Sequence, residues 1–211
     1  MPINHPSSPF VPPTDAAPDG MPVLEAGAHR DARSGSCVME YVSVLAGERF
    51  TDRPRCTHPA VAALAWQVND AVSHEARQLL GLRAVDLVGA GRGVEGPVRP
   101  VVLAAIARAG LRLDPGSRFF TRLARRVDEA QGKAARRRAE GRDPGDGSGG
   151  RVATLLHVGP VNHACAHLLV AARAAGLDTA ARDAMLVDLL DDCLGSARSG
   201  TVPSPTVVPA G

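Results

Sequence analysis

The stretch Ser36-Cys37-Val38-Met39-Glu40-Tyr41-Val42-Ser43-Val44-Leu45-Ala46-Gly47-Glu48 limits what this chain can become more than any other. Val38, Tyr41, Val42 and Leu45 recur at helical spacing, while Met39 and Val44 spread the apolar surface round most of the circumference. A helix apolar on nearly every side has to be surrounded by other elements. The sequence therefore predicts a central helix with Ser36 as N-cap, Gly47 just past its end, and further helices around it.

Those helices are signalled along the chain. Pro59 opens one, capped by Thr57 or His58, with Val61, Leu64, Ala65 and Val68 inward. Ser73 caps a short helix that reaches Leu80 and is stopped by Gly81, and Leu82 to Gly96, broken by four glycines, reads as a loop. Val98, Val101, Val102, Ala105 and Ile106 mark a helix from Pro97 to Ala109, closed by Gly110. Asp114-Pro115 signals the start of another, ending at Ala139, whose second half has almost no apolar residues. After a Gly-rich stretch, helical runs at 152–158 and 161–175 are split by Gly159-Pro160, and a last helix runs from Asp178 or Thr179 to Gly195.

The organisation expected is all-α. A disordered tail covers 1–29, a compact helical domain 30–139, a flexible linker 140–150, a helical hairpin 151–195 and a second disordered tail 196–211. The hairpin is too small to be stable alone, so it has to dock on the domain or on a partner. Aromatics are only 3% of the chain, so the core must be built from Ala, Val and Leu, which favours closely packed helices.

With a net charge of +2, no global field draws the chain to nucleic acid or anionic membrane, so any such partner must meet a local patch. Neither a leader segment nor an apolar run of about 20 residues is evident, and the default compartment is the cytoplasm, with no membrane partner. Four cysteines in a long chain that is not Cys-dense read as reduced thiols.

Gly35-Ser36-Cys37-Val38-Met39-Glu40, then Leu45-Ala46-Gly47-Glu48, Asp52 to Cys56 and Asn69-Asp70, together resemble a small family of actinobacteria and some of their phages. In that family a Gly-Ser-Cys-x-Met-Glu start leads into Leu-Ala-Gly-Glu and an Asp-x-Pro-x-Cys loop. The resemblance covers residues 35–70 and extends weakly to Leu111. It implies a recurring helical module and carries no activity or cofactor with it.

Several residue groups have the types that chemistry needs. Cys37 in the first turn of a helix is placed where the dipole favours a thiolate, with His58 as the histidine nominated for its base; the alternative is a small side chain filling a tight gap. Glu40 among apolar neighbours is either ion-paired with Arg53 or Arg55, or a general base or metal ligand. Cys37, Glu40, Cys56 and His58 could make a tetrahedral zinc site, although no C-x-x-C pair is present. His163 and His167 lie one turn apart with His157 upstream, a second possible metal set lacking the glutamate of H-E-x-x-H enzymes. Gly89-Ala90-Gly91-Arg92-Gly93 has no Gly-Lys-Ser/Thr ending and is read as a loop.

Arg118, Arg122, Arg125, Arg126, Arg136, Arg137 and Arg138 give one helix an arginine face able to neutralise phosphates, interrupted by Asp128, Glu129 and Glu140. No catalytic residue and no cofactor is assigned. The expected function is that of a helical interaction or regulatory protein with a protein partner, itself or another. A Cys/Glu-centred metal protein or enzyme, and a nucleic-acid contact through residues 118–138, are the alternatives.

Overall fold

The computed structural model describes residues 23–93, 97–141 and 151–199, with side chains described for all of these except 151–155 and 198–199. Of the tails expected over 1–29 and 196–211, residues 1–22 and 200–211 lie outside the described residues, as does most of the expected linker; within the described parts Leu24 is buried and residues 196–199 are helical. The fold is all-α. Among the described residues the elements are α1 (Val38–Leu45), α2 (Pro59–Ala71), α3 (His74–Leu79), α4 (Gly81–Leu87), α5 (Val98–Leu113), α6 (Arg118–Ala139), α7 (Arg151–Ala174) and α8 (Thr179–Ser199), preceded by a 3-10 turn at Ala32–Ser34.

The helix at the centre is α5, with twelve of its sixteen residues buried. It packs against α2, α6, α7 and α8. Helix α1 is buried too, but its cover comes from α2, α4 and the irregular chain on either side of it. Alanines set the helix spacing: Ala60, Ala62, Ala63 and Ala65 on α2 and Ala104, Ala105, Ala107 and Ala109 on α5 are all buried, which lets backbones approach closely. Val161, Ala164 and Leu168 from α7, and Leu186, Leu189, Leu190 and Cys193 from α8, enter the same core as α2 and α5.

Outside α1, five element boundaries differ from the sequence reading. Residues 82–87, read as loop, join Gly81 in α4: Leu80 stays in the right-handed helical region, so Gly81 does not stop the chain, and Leu80, Ala84 and Leu87 go into the core. Helix α5 runs through Gly110 to Leu113, and glycine at 110 serves packing, since Phe120 of α6 lies where a side chain would be. Helix α6 starts at Arg118, not Pro115; Asp114 ends α5 and its carboxylate accepts from Gly116 N–H at 3.1 Å. Helix α8 passes Gly195 and ends at Ser199.

The fifth difference is at Pro160, which α7 carries in its interior. Proline has no N–H for the carbonyl four residues back, here that of Leu156. Arg99 of α5 takes that acceptor, its Nη1 donating to Leu156 O at 2.9 Å. A lost intrahelical bond thus becomes a tie between two helices.

An ideal Cβ on Gly110 would lie 2.5 Å from three ring carbons of Phe120, whose side chain is fully buried. Gly110→Ala is therefore expected to lower unfolding free energy by about 1–3 kcal/mol through overpacking, despite alanine's better helix propensity. Urea denaturation checks this; a variant as stable as the parent would mean that the α5–α6 contact is loose.

Candidate functional site

The motif from Gly35 to Cys56 is built from its backbone outward. Gly35 has φ +103°, a left-handed conformation that favours glycine, and it turns the chain into Ser36, which pairs with Leu24 in an isolated parallel bridge. Cys37, not Ser36, is the N-cap of α1. Its Sγ accepts from Glu40 N–H at 3.4 Å while a Glu40 carboxylate oxygen accepts from Cys37 N–H at 2.7 Å. This is a capping box with cysteine where serine or threonine is usual.

Glu40 is buried and its partner is neither Arg53 nor Arg55. Its other oxygen accepts from His29 N–H at 2.7 Å, and the His29 ring Nδ1 lies 2.9 Å from the carboxylate. Asn69 of α2 closes the same clamp, its oxygen accepting from Val38 N–H at 3.1 Å and its nitrogen donating to Glu25 O at 2.9 Å. Asp70 accepts from Gly27 N–H, and Gln78 bonds both the N–H and the carbonyl of Leu24. Residues 23–36, polar and without period, are strapped to α1, α2 and α3.

Leu45-Ala46-Gly47-Glu48 ends α1. Gly47 is left-handed at φ +67°, its N–H donates to Val44 O, and Glu48 N–H donates to Ser43 O, the paired bonds of a Schellman ending. The Glu48 carboxylate then accepts from Arg55 and Cys56 N–H at 2.7 and 2.8 Å, which shapes the Asp52–Cys56 loop. Trp66 Nε1 donates to Asp52 O at 2.9 Å, and the Arg53 guanidinium lies over the indole at 5.8 Å. Cys37, Glu40, Glu48, Trp66 and Asn69 each hold main chain through their side chains.

Burial shapes the thiols in the same sense. It pushes the Cys37 thiol up to about 12, an effect that the hydrogen bond from Glu40 N–H only partly opposes, so the helix start does not make a thiolate here. Burial also raises Cys165 and Cys193 to about 12. Cys56 is partly buried, its Sγ 3.7 Å from Thr57 Oγ1.

His58 is fully buried and caps α2, its Nδ1 accepting from Ala60 N–H at 3.1 Å. Its ring meets that of His157 edge-on at 4.8 Å. His163 and His167 are exposed on α7 and flank Phe119 of α6, with His167 stacked on the phenyl ring at 3.8 Å. Among the described residues no three His, Cys, Asp or Glu side chains are grouped so as to hold a metal ion, and this covers both sets considered from the sequence.

The arginines from 118 to 138 are all exposed along α6. The helix buries Phe120, Ala124 and Val127 and nothing after them. A shallow cleft of about 370 Å³ lies between α4 and α8, lined by Leu82, Arg83, Asp86, Asp191, Leu194 and Gly195. Its charges answer one another: Arg83 donates to both oxygens of Asp191 at 3.0 and 2.9 Å. Beside it Leu79, Leu82 and Val85 are largely exposed. Among the described residues no helix is long and apolar enough to cross a membrane.

Comparisons with family models, with curated proteins and with solved structures find no match to this chain. His29 and Gln78 are the site residues that sequence reasoning missed. Cys37-x-x-Glu40 has the spacing of a capping box and was the available signal for the Cys37–Glu40 half of the clamp.

Proposed function

We propose that this chain is a helical interaction or regulatory protein without catalytic activity, working in the cytoplasm through its outer helical faces. One observation carries the reading. The side chains of Cys37, Glu40, Glu48 and Asn69, chemistry-bearing residues of the motif, are each hydrogen-bonded to backbone groups. Catalysis requires a group within reach of a substrate atom and a nucleophile with a lowered pKa. Here the carboxylate is enclosed and the thiol is raised, so the motif serves the fold and the functional surface lies outside it.

The test is native-state alkylation at about pH 8, where an ordinary thiol is partly ionised. Cys56 is expected to react first, and Cys37, Cys165 and Cys193 only at the rate of unfolding. Labelling of Cys37 ahead of Cys56 would mean an accessible, activated nucleophile and would sink the proposal. A stable covalent adduct at Cys37 with the fold intact would restore the enzyme reading.

A further inference from the structure

We infer that α6 is a binding arm for double-stranded nucleic acid, held through the phosphate backbone without base readout. The inference names a partner for the outer faces invoked above and rests on that reading only in placing function on the surface.

Charge segregation is the first observation. Between Arg118 and Ala139 there are eight basic and two acidic side chains, six net positive charges, in a chain whose total is +2. The rest of the molecule therefore carries four net negative charges. Seven of the eight cations, all but Arg138, fall within about 120° of the helix circumference, on the side away from Phe120, Ala124 and Val127. From Arg118 to Arg137 this stripe is about 28 Å long.

Helix stability does not account for that arrangement. Arg136, Arg137 and Arg138 suit the negative end of the helix dipole, but Arg118 stands at the positive end, where no acidic residue is present. Arg118 and Arg122, Arg122 and Arg126, and Lys133 and Arg137 are like-charged neighbours four residues apart, which repel. Arg125 is paired with Glu129 at 3.7 Å across exposed surface. A line of phosphates relieves the repulsion along the whole stripe.

The geometry separates this partner from others. After Val127 the helix has no apolar side chain larger than alanine, so it has nothing to sink into a bilayer. No aromatic ring stands on the stripe to stack unpaired bases, and Phe119, at its edge, is covered by His167. Guanidinium groups suit phosphate through bidentate bonds. What remains is a duplex bound by its backbone.

The test is fluorescence anisotropy of the full chain on a labelled DNA duplex of about 24 base pairs, from about 50 to 200 mM NaCl. With roughly five phosphates neutralised, log K is expected to fall with log salt at a slope near −4.5, a weakening of about 500-fold over that range. The triple variant Arg122→Gln, Arg125→Gln, Arg126→Gln is expected to retain its thermal midpoint and drop the slope to about −2. Arg49→Gln, Arg55→Gln, Arg173→Gln, which removes the same charge elsewhere, is expected to leave the slope unchanged. No duplex binding at the low-salt end overturns the inference. So does equal weakening by the two triple variants, or a preference for phosphatidylserine vesicles or for the single strand. None of these outcomes bears on thiol reactivity, so the non-catalytic reading stands or falls separately.

Discussion

Glu40→Ala is expected to lower unfolding free energy by about 4 kcal/mol, and the reason lies in what the carboxylate holds. Removing it leaves His29 N–H and Cys37 N–H without their acceptor, each a loss of about 1–3 kcal/mol where water cannot replace it. The His29 ring loses its contact as well. Against a total of about 5–15 kcal/mol for a chain of this kind, the variant should unfold at about 10 °C below the parent. Glu40→Gln keeps one acceptor oxygen and turns an NH₂ toward the other donor, so about half the effect is expected. His29→Ala keeps both backbone bonds and is expected to cost about 1 kcal/mol. Paired denaturant curves measure all three. A Glu40→Ala loss below that of His29→Ala would show that water serves the two N–H groups and that the clamp is not sealed.

Stability is also expected to collapse in mild alkali. Cys37, Cys165 and Cys193 are raised from an ordinary 9.0 to about 12 by burial. Above pH 9 the unfolded chain releases these protons and the folded one retains them, so the unfolded state binds fewer and stability falls as pH rises. The contribution is fully present below pH 9 and is lost progressively toward 12. Each thiol removes about 1.4 kcal/mol per pH unit in that window, so the three together remove about 4 kcal/mol per unit. Urea curves at pH 9, 10 and 11 under reductant should show the loss beginning between 9 and 10 and reaching that slope between 10 and 11. The double variant Cys165→Ala, Cys193→Ala isolates Cys37 and should reduce it to about 1.4 kcal/mol per unit. A parent protein equally stable at pH 9 and 10 would contradict the burial of these groups.

How much of this could be read from residues alone depended on whether the signal was local. Pro59 with His58 before it, and Ser73 before a short helix, are capping signals complete within a few residues, and α2 and α3 begin where they indicate. Gly81 and Pro160 gave equally local signals to stop, and tertiary contacts overrode both: burial of Leu80, Ala84 and Leu87 in one case, Arg99 on a freed carbonyl in the other. The pairing of Cys37 with Glu40 was legible as a spacing. The partner His29 was not, because it lies in a stretch with no period, and nothing in sequence says which of several charged residues reaches a buried carboxylate. The arginine face of α6 was visible as composition, but its separation from the core needed Val127 to be the last buried position.

The sharing of one core by α2, α5, α7 and α8 sets the moment at which this chain can fold during its synthesis. A ribosome that has released residues up to 139 has produced α2 and α5 with their aliphatic faces still waiting for Val161, Leu168, Leu186, Leu189 and Leu190. Until α8 emerges, those faces are open to water and to other nascent chains. A premature stop in the Gly-rich stretch would therefore release a sticky fragment instead of a shortened but working protein, and cells carrying it would meet the product as a substrate for proteolysis.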